Sequence, residues 1–210
     1  EWLYPKVHRE LERERVADLS LVYRWRGRFA TEPTVLMAHY DVVAADDAGW
    51  RVPPFAGETI GSGDERELWG RGTVDDKGSL AAILEAVEAS LEAGFTPTHD
   101  VYLCFGHDEE THGTGAAAIV DLFEQRGIRP ALVLDEGGAI VEGVFPGVDR
   151  SIAAVGVGEK GSTLISLTVD QAGGHASTPP PLSTTARLAR AIVRLNSRPF
   201  RTGFSATARE

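Results

Sequence analysis

With a single cysteine among 210 residues, this sequence excludes a disulfide framework and a thiolate-ligated metal site. The one thiol, Cys104, lies inside the apolar run VYLCFG and reads as a core residue rather than a nucleophile. Basic charge is also scarce. The 21 lysines and arginines face 31 aspartates and glutamates, leaving a formal charge of -10 with no cationic stripe to offset it. That balance excludes nucleic acid as an expected partner. No uninterrupted apolar run approaches the roughly 20 residues that span a bilayer, so no membrane partner is expected. No signal peptide is legible, which makes the cytoplasm the expected location. Repeats, low-complexity segments, a P-loop and a G-x-S-x-G nucleophile elbow are absent as well.

What is present is an alternation of strand-like and helix-like segments. EWLYPKVHRELERERV, residues 1–16, predicts a helix, and LSLVYRWRG a strand ending at Gly27. PTVLMAHYDVV predicts a core strand whose apolar run breaks at His39. After a loop rich in Gly, Pro and acids, DDKGSLAAILEAVEASLEAG carries apolar residues at helical spacing up to Gly94. HDVYLCFGHDEE, GTGAAAIVDLFEQRG and PALVLDEGG then predict strand, helix and strand. The expected fold is α/β, a mainly parallel sheet flanked by helices. Beyond Glu159, GSTLISLTVDQAGG alternates apolar and polar residues as a strand with one wet face does, and TTARLARAIVRLN predicts a helix. Residues 160–210 are therefore expected to begin a smaller α+β domain, after a first domain over 1–159.

Acids and histidines follow the predicted strands, at the edge where α/β sheets place their chemistry. His39 and Asp41 stand two apart and share a side, so Asp41 either orients the imidazole or faces a metal with it. Asp75 and Asp76 adjoin a helix start. Capping accounts for one of them, whereas two adjacent carboxylates call for a cation or protons. Asp108, Glu109 and Glu110, flanked by His107 and His112, repeat that requirement more strongly. Neighbouring glutamates can divide the work, one binding metal while the other takes a proton from water. Asp135 and Glu136 supply further acid at another strand end. A rival pattern, Gly113, Gly115 and Ala118 in GTGAAA, has dinucleotide-binding spacing. It is misplaced, because HDEETH intervenes between strand and glycines and would repel phosphate.

HYDVV, WGRGTVDDKG, GHDEE, LDEGG and GGHASTPP, in this order and spacing over nearly the whole chain, resemble the two-zinc exopeptidase and deacylase family. Its members include carboxypeptidase S, aminoacylase, acetylornithine deacetylase and succinyl-diaminopimelate desuccinylase, and the resemblance is strongest to the carboxypeptidase S branch. It implies a zinc-exopeptidase-like catalytic domain with an inserted lid and dimerisation domain. It also implies metal ligation by His39, Asp75, Glu110 and Asp135, with Asp75 bridging two zinc ions. Cobalt or manganese would suit the same ligands. Asp41 would orient His39, and the Asp75–Asp76 peptide would be cis. Glu109 would be the general base for attack of a zinc-activated water on the amide of a peptide or N-acyl amino acid, releasing a free amino acid. His175 would reach a partner subunit's site in a homodimer formed through the lid and stabilise the oxyanion. The family's last ligand, a histidine from a later part of the catalytic domain, has no counterpart here, so the chain is expected to be an N-terminal portion. A binding module that keeps the fold without a working metal site is the alternative.

Overall fold

A computed structural model of the chain describes all residues except 1, 47, 159, 160, 162, 176, 202, 205, 207, 208 and 210. The chain divides into two compact units, Glu1–Gly137 and Gly138–Glu210. The first unit opens with helix α1 (Pro5–Glu10) and strands β1 (Glu12–Val16), β2 (Ser20–Trp25) and β3 (Phe29–His39). A small hairpin of β4 (Glu58–Ile60) and β5 (Glu67–Trp69) follows, then α2 (Lys77–Glu92), β6 (His99–Gly106), α3 (Thr114–Gln125) and β7 (Leu132–Leu134).

The main sheet has five strands in the order β1, β2, β6, β3, β7. β3 runs parallel to both β6 and β7, as β/α alternation predicts. The other half is antiparallel, β1 with β2 and β2 with β6. The short turn from Val16 to Ser20 leaves no room for a crossover, so the first two strands must form a hairpin. This is an α/β fold with a mixed sheet. The helix expected over 1–16 ends at Glu10, because ERERV pairs with β2 from Glu12 opposite Arg24 to Val16 opposite Ser20. Strand pairing there overrides the helical preference of Glu and Arg.

Burial follows the pleat of the central strand β6. Tyr102 and Cys104 face Ile119 and Phe123 of α3, while Leu103 and Phe105 face Val7 of α1 and Leu84, Val87 and Leu91 of α2. A strand covered on both faces reads as one continuous apolar run, which is why VYLCFG shows no alternation. Cys104 is fully buried and its thiol is pushed up to about 12 by burial, in keeping with a core role. α2 and α3 end where Gly94 and Gly127 take left-handed φ of 71° and 65°, with Ile128 N donating back to Phe123 O at 2.9 Å.

α1 is too short to stand alone, and a residue 81 positions away secures its start. The buried carboxylate of Glu88 on α2 accepts the amides of Lys6 at 2.9 Å and Val7 at 2.8 Å, two N–H groups that the first turn leaves unpaired. Glu88→Ala is expected to cost about 1–3 kcal/mol of stability in urea titration, since the buried Val7 amide and the part-buried Lys6 amide both lose their acceptor. Glu88→Gln, which keeps one acceptor oxygen, should lose less.

The second unit holds the paired β8 (Ile140–Val141) and β9 (Ile152–Ala153) and the helix α4 (Thr184–Ser197). Ser183 Oγ caps α4 by accepting Ala186 N at 3.2 Å. The strand expected over 161–174 is not formed among the described residues there. Alternation specifies a dry face, but a strand also requires a neighbour to pair with. No helix among the described residues is long and apolar enough to cross a membrane.

Candidate metal centre

Because β3, β6 and β7 are mutually parallel, their C-terminal ends open onto one edge of the sheet. His39 is the last residue of β3, the segment 107–113 leaves β6, and Asp135 and Glu136 follow β7. The loop before α2 brings Asp75 to the same place. His39 is the buried centre, 2 % exposed. Its Nε2 lies 3.0 Å from Asp75 Oδ1, 3.3 Å from Glu136 Oε1 and 3.9 Å from Glu109 Oε2. Its Nδ1 lies 3.2 Å from the Asp41 carbonyl and 3.3 Å from Asp41 Oδ1. With one proton held at Nδ1 by Asp41, Nε2 is left to share a second proton with Asp75 or to give its lone pair to a cation among the carboxylates.

Asp41 serves a second element as well. Its two carboxylate oxygens accept the amides of Glu109 at 3.1 Å and Glu110 at 3.0 Å, tying the acidic turn after β6 to the end of β3. Asp108 holds the other side of that turn, accepting Thr114 N and Gly115 N at 2.9 Å each at the start of α3. The Thr114 hydroxyl, which also donates to Oδ2, and after it these amides keep the Asp108 carboxyl down at about 2. The Asp75–Asp76 peptide is cis. Asp76 precedes α2 but makes no side-chain cap; buried, it accepts the His39 amide at 3.2 Å instead.

Ligand atoms of His39, Asp75 and Glu136 all lie within 4.8 Å of one another, an imidazole and two carboxylates that suit a divalent metal ion. Of the residues singled out from the sequence, His39, Asp41, Asp75 and Glu109 come together directly. Glu110 is held there through its amide. Asp135 lines the recess, but its Oδ1 accepts the Glu136 amide at 2.9 Å while Glu136 supplies the carboxylate nearest His39. His175 belongs to the second unit, exposed, with Nδ1 2.8 Å from Ser177 Oγ. Nothing in the sequence singles out Glu136 over Asp135, because both lie beyond the end of β7, where the backbone leaves the strand.

The carboxylates strain against one another. Glu136 is pushed up to about 7, chiefly by burial and then by Asp76, Asp75 and Glu109, against the opposing pull of His39. Glu109 is raised by burial and by Glu110, Asp41 and Asp75. Burial would lower the pKa of His39, yet the bond to Asp75 and the charges of Glu136, Asp41 and Glu109 hold it above its ordinary value. A carboxyl raised on folding stabilises fully below its unfolded value, 4.5 for Glu136, and loses that contribution as pH rises through about 7. In chelator-treated protein the melting temperature is therefore expected to fall over that interval. Glu136→Gln should flatten the fall, as circular dichroism melts at stepped pH would record.

The chain belongs to the peptidase family M20/M25/M40, whose profile matches residues 35–208. It is 44 % identical over 201 residues to the "Probable carboxypeptidase S-like 2" of Dictyostelium discoideum, covering 93 % of this chain and 38 % of that protein. It is 40 % identical over 193 residues to the human "N-fatty-acyl-amino acid synthase/hydrolase PM20D1", covering 90 % of this chain and 37 % of that protein. The chain thus spans less than half the length of these curated relatives. Among solved structures, human carnosine dipeptidase 1 matches with a TM-score of 0.51 at 18 % identity, over 64 % of this chain and 31 % of that one, a likeness of fold.

Proposed function

We propose that this chain carries the main part of the metal site of a hydrolase that cleaves the amide bond of a peptide or N-acyl amino acid and releases a free amino acid. The observation that carries the reading is the convergence of His39, Asp75 and Glu136 within 4.8 Å at the ends of parallel strands, with Glu109 Oε2 3.9 Å from His39 Nε2. His39, Asp75, Glu110 and the Asp135–Glu136 pair would hold the metal, two zinc ions in a complete site. Bound there, the metal would polarise the scissile carbonyl and lower the pKa of water. Glu109, a carboxylate made more basic than usual by its surroundings, accepts the proton of the attacking water and returns it to the departing amine. Asp41 fixes the imidazole tautomer through Nδ1 and at the same time sets the backbone that carries Glu109.

Residues 1–159 are proposed as the first half of the catalytic domain and 160–210 as part of a lid. On this reading, a homodimer formed through the lid would bring His175 to the partner's substrate oxyanion. The relatives named for carboxypeptidase S and for fatty-acyl amino acids favour the substrate class given above.

Elemental mass spectrometry on protein purified without chelators, together with assays on a dipeptide and an N-acyl amino acid, tests the proposal. Bound metal that is lost in His39→Ala is expected, with hydrolysis that follows metal content. A parent protein that takes up no metal would overturn it. Comparing Asp135→Ala with Glu136→Ala assigns the ligand between those neighbours.

A further inference from the structure

Ser20 is fully buried, and nothing in the proposed chemistry uses it. It is the first residue of β2, directly after a turn in which Ala17 and Asp18 hold φ of 47° and 64°. Its Oγ lies 2.7 Å from Nδ1 of His107, 87 positions away, the residue that leads from β6 into the acidic turn. α3 closes over this pair. A Cβ added at Gly115 would stand 2.1 Å from Ser20 Oγ, 2.8 Å from His107 Nδ1 and 3.1 Å from Asp108 Oδ1, so only glycine admits the helix at this distance. One residue earlier, the carbonyl of Leu19 accepts the Tyr40 hydroxyl at 2.8 Å, and Tyr40 sits between His39 and Asp41.

The β1–β2 turn therefore grips both arms of the metal centre, the end of β3 through Leu19 and the exit of β6 through Ser20. We propose that this turn is a brace for the site and that Ser20 is a positioning residue, acting through His107 to set the placement of Glu109. The inference rests on the hydrolase reading for its catalytic consequence. Its physical basis is the directionality of a hydrogen bond made by a buried hydroxyl. A hydroxyl withdrawn from water needs its partner, and His107 is the partner it has. Loss of the imidazole leaves the buried Ser20 hydroxyl without its partner, and loss of the hydroxyl frees the part-buried His107 ring, in either case letting the turn move. Displacement of a catalytic group by about 1 Å can cost up to about 100-fold in rate.

The test combines steady-state kinetics, metal content and amide hydrogen exchange by nuclear magnetic resonance. Ser20→Ala is expected to lower kcat about tenfold with KM and bound metal unchanged, and to speed exchange of the Glu109 and Glu110 amides while the β6 amides keep their protection. His107→Ala should reproduce these effects. His107→Asn, whose side-chain amide can occupy the place of Nδ1, should restore them largely to parental values. The Ser20→Ala, His107→Ala double variant should be no worse than either alone. Unchanged exchange at Glu109 and Glu110 in Ser20→Ala overturns the brace, as does faster exchange with kcat intact. Should Ser20→Ala fail to fold, the contrast between His107→Asn and His107→Ala reads the same bond. Absence of hydrolysis in the parent protein overturns the hydrolase reading alone, and the exchange measurement then still decides whether Ser20 fixes the turn.

Discussion

Replacing Glu109 by glutamine is expected to lower the rate of amide hydrolysis about 10²–10⁴-fold while leaving bound metal in place. The separation of effects follows from geometry. Glu109 Oε2 lies 3.9 Å from His39 Nε2, farther than Asp75 Oδ1 at 3.0 Å or Glu136 Oε1 at 3.3 Å, so it stands beside the ligand group rather than within it. The turn that carries it is anchored through backbone amides on Asp41, and a side-chain substitution leaves those bonds intact. What glutamine removes is the capacity to accept and return a proton, a capacity that burial and the neighbouring acids have enhanced in Glu109. Rate measurements alongside elemental analysis of the same preparation check the prediction. Equal loss of metal and activity would instead place Glu109 among the ligands.

Asp100→Ala is expected to destabilise the fold by about 3–5 kcal/mol, the largest single loss predicted outside the apolar core. Asp100, 1 % exposed, is the second residue of the central strand β6 and satisfies three donors from the loop and strand beside it. It accepts the Gly27 amide at 2.8 Å and, on Oδ2, Arg24 Nε at 2.7 Å and Nη2 at 2.5 Å. That bond is the main reason the Arg24 guanidinium is held above its already high pKa. Truncating the aspartate leaves the part-buried Gly27 amide without its acceptor and the half-buried guanidinium with only Glu12, whose Oε2 lies 3.8 Å from Nη1. Removing both charges together should cost much less, because an apolar pair has no such demand. Denaturant titration of Asp100→Ala, Arg24→Met and the Arg24→Met, Asp100→Leu double variant checks this, with a double variant more stable than Asp100→Ala as the expected order.

The sequence made the parallel half of the sheet legible because β3, β6 and β7 are apolar runs followed abruptly by His or acid, although of the three only β6 is buried along most of its length and β7 is exposed. Helices α2 and α3 were equally plain from their spacing and terminal glycines. The antiparallel half was not legible. ERERV has the composition of a helix, and only its pairing with β2, a tertiary interaction, makes it a strand. The same blind spot hid Ser20, whose significance lies in a partner 87 positions away. At the site, acids grouped after strands pointed to a metal, but the relative reach of Asp135 and Glu136 depends on the course of the backbone beyond the end of a three-residue strand.

The solitary thiol has a use beyond packing. Cys104 sits in the middle of the strand that both halves of the sheet share, sealed beneath Ile119 and Phe123 of α3. A thiol-directed reagent can reach it only while α3 and β6 are apart, so its labelling rate is a clock for the opening of the core. With one cysteine in the sequence, that clock has a single hand and needs no engineered probe.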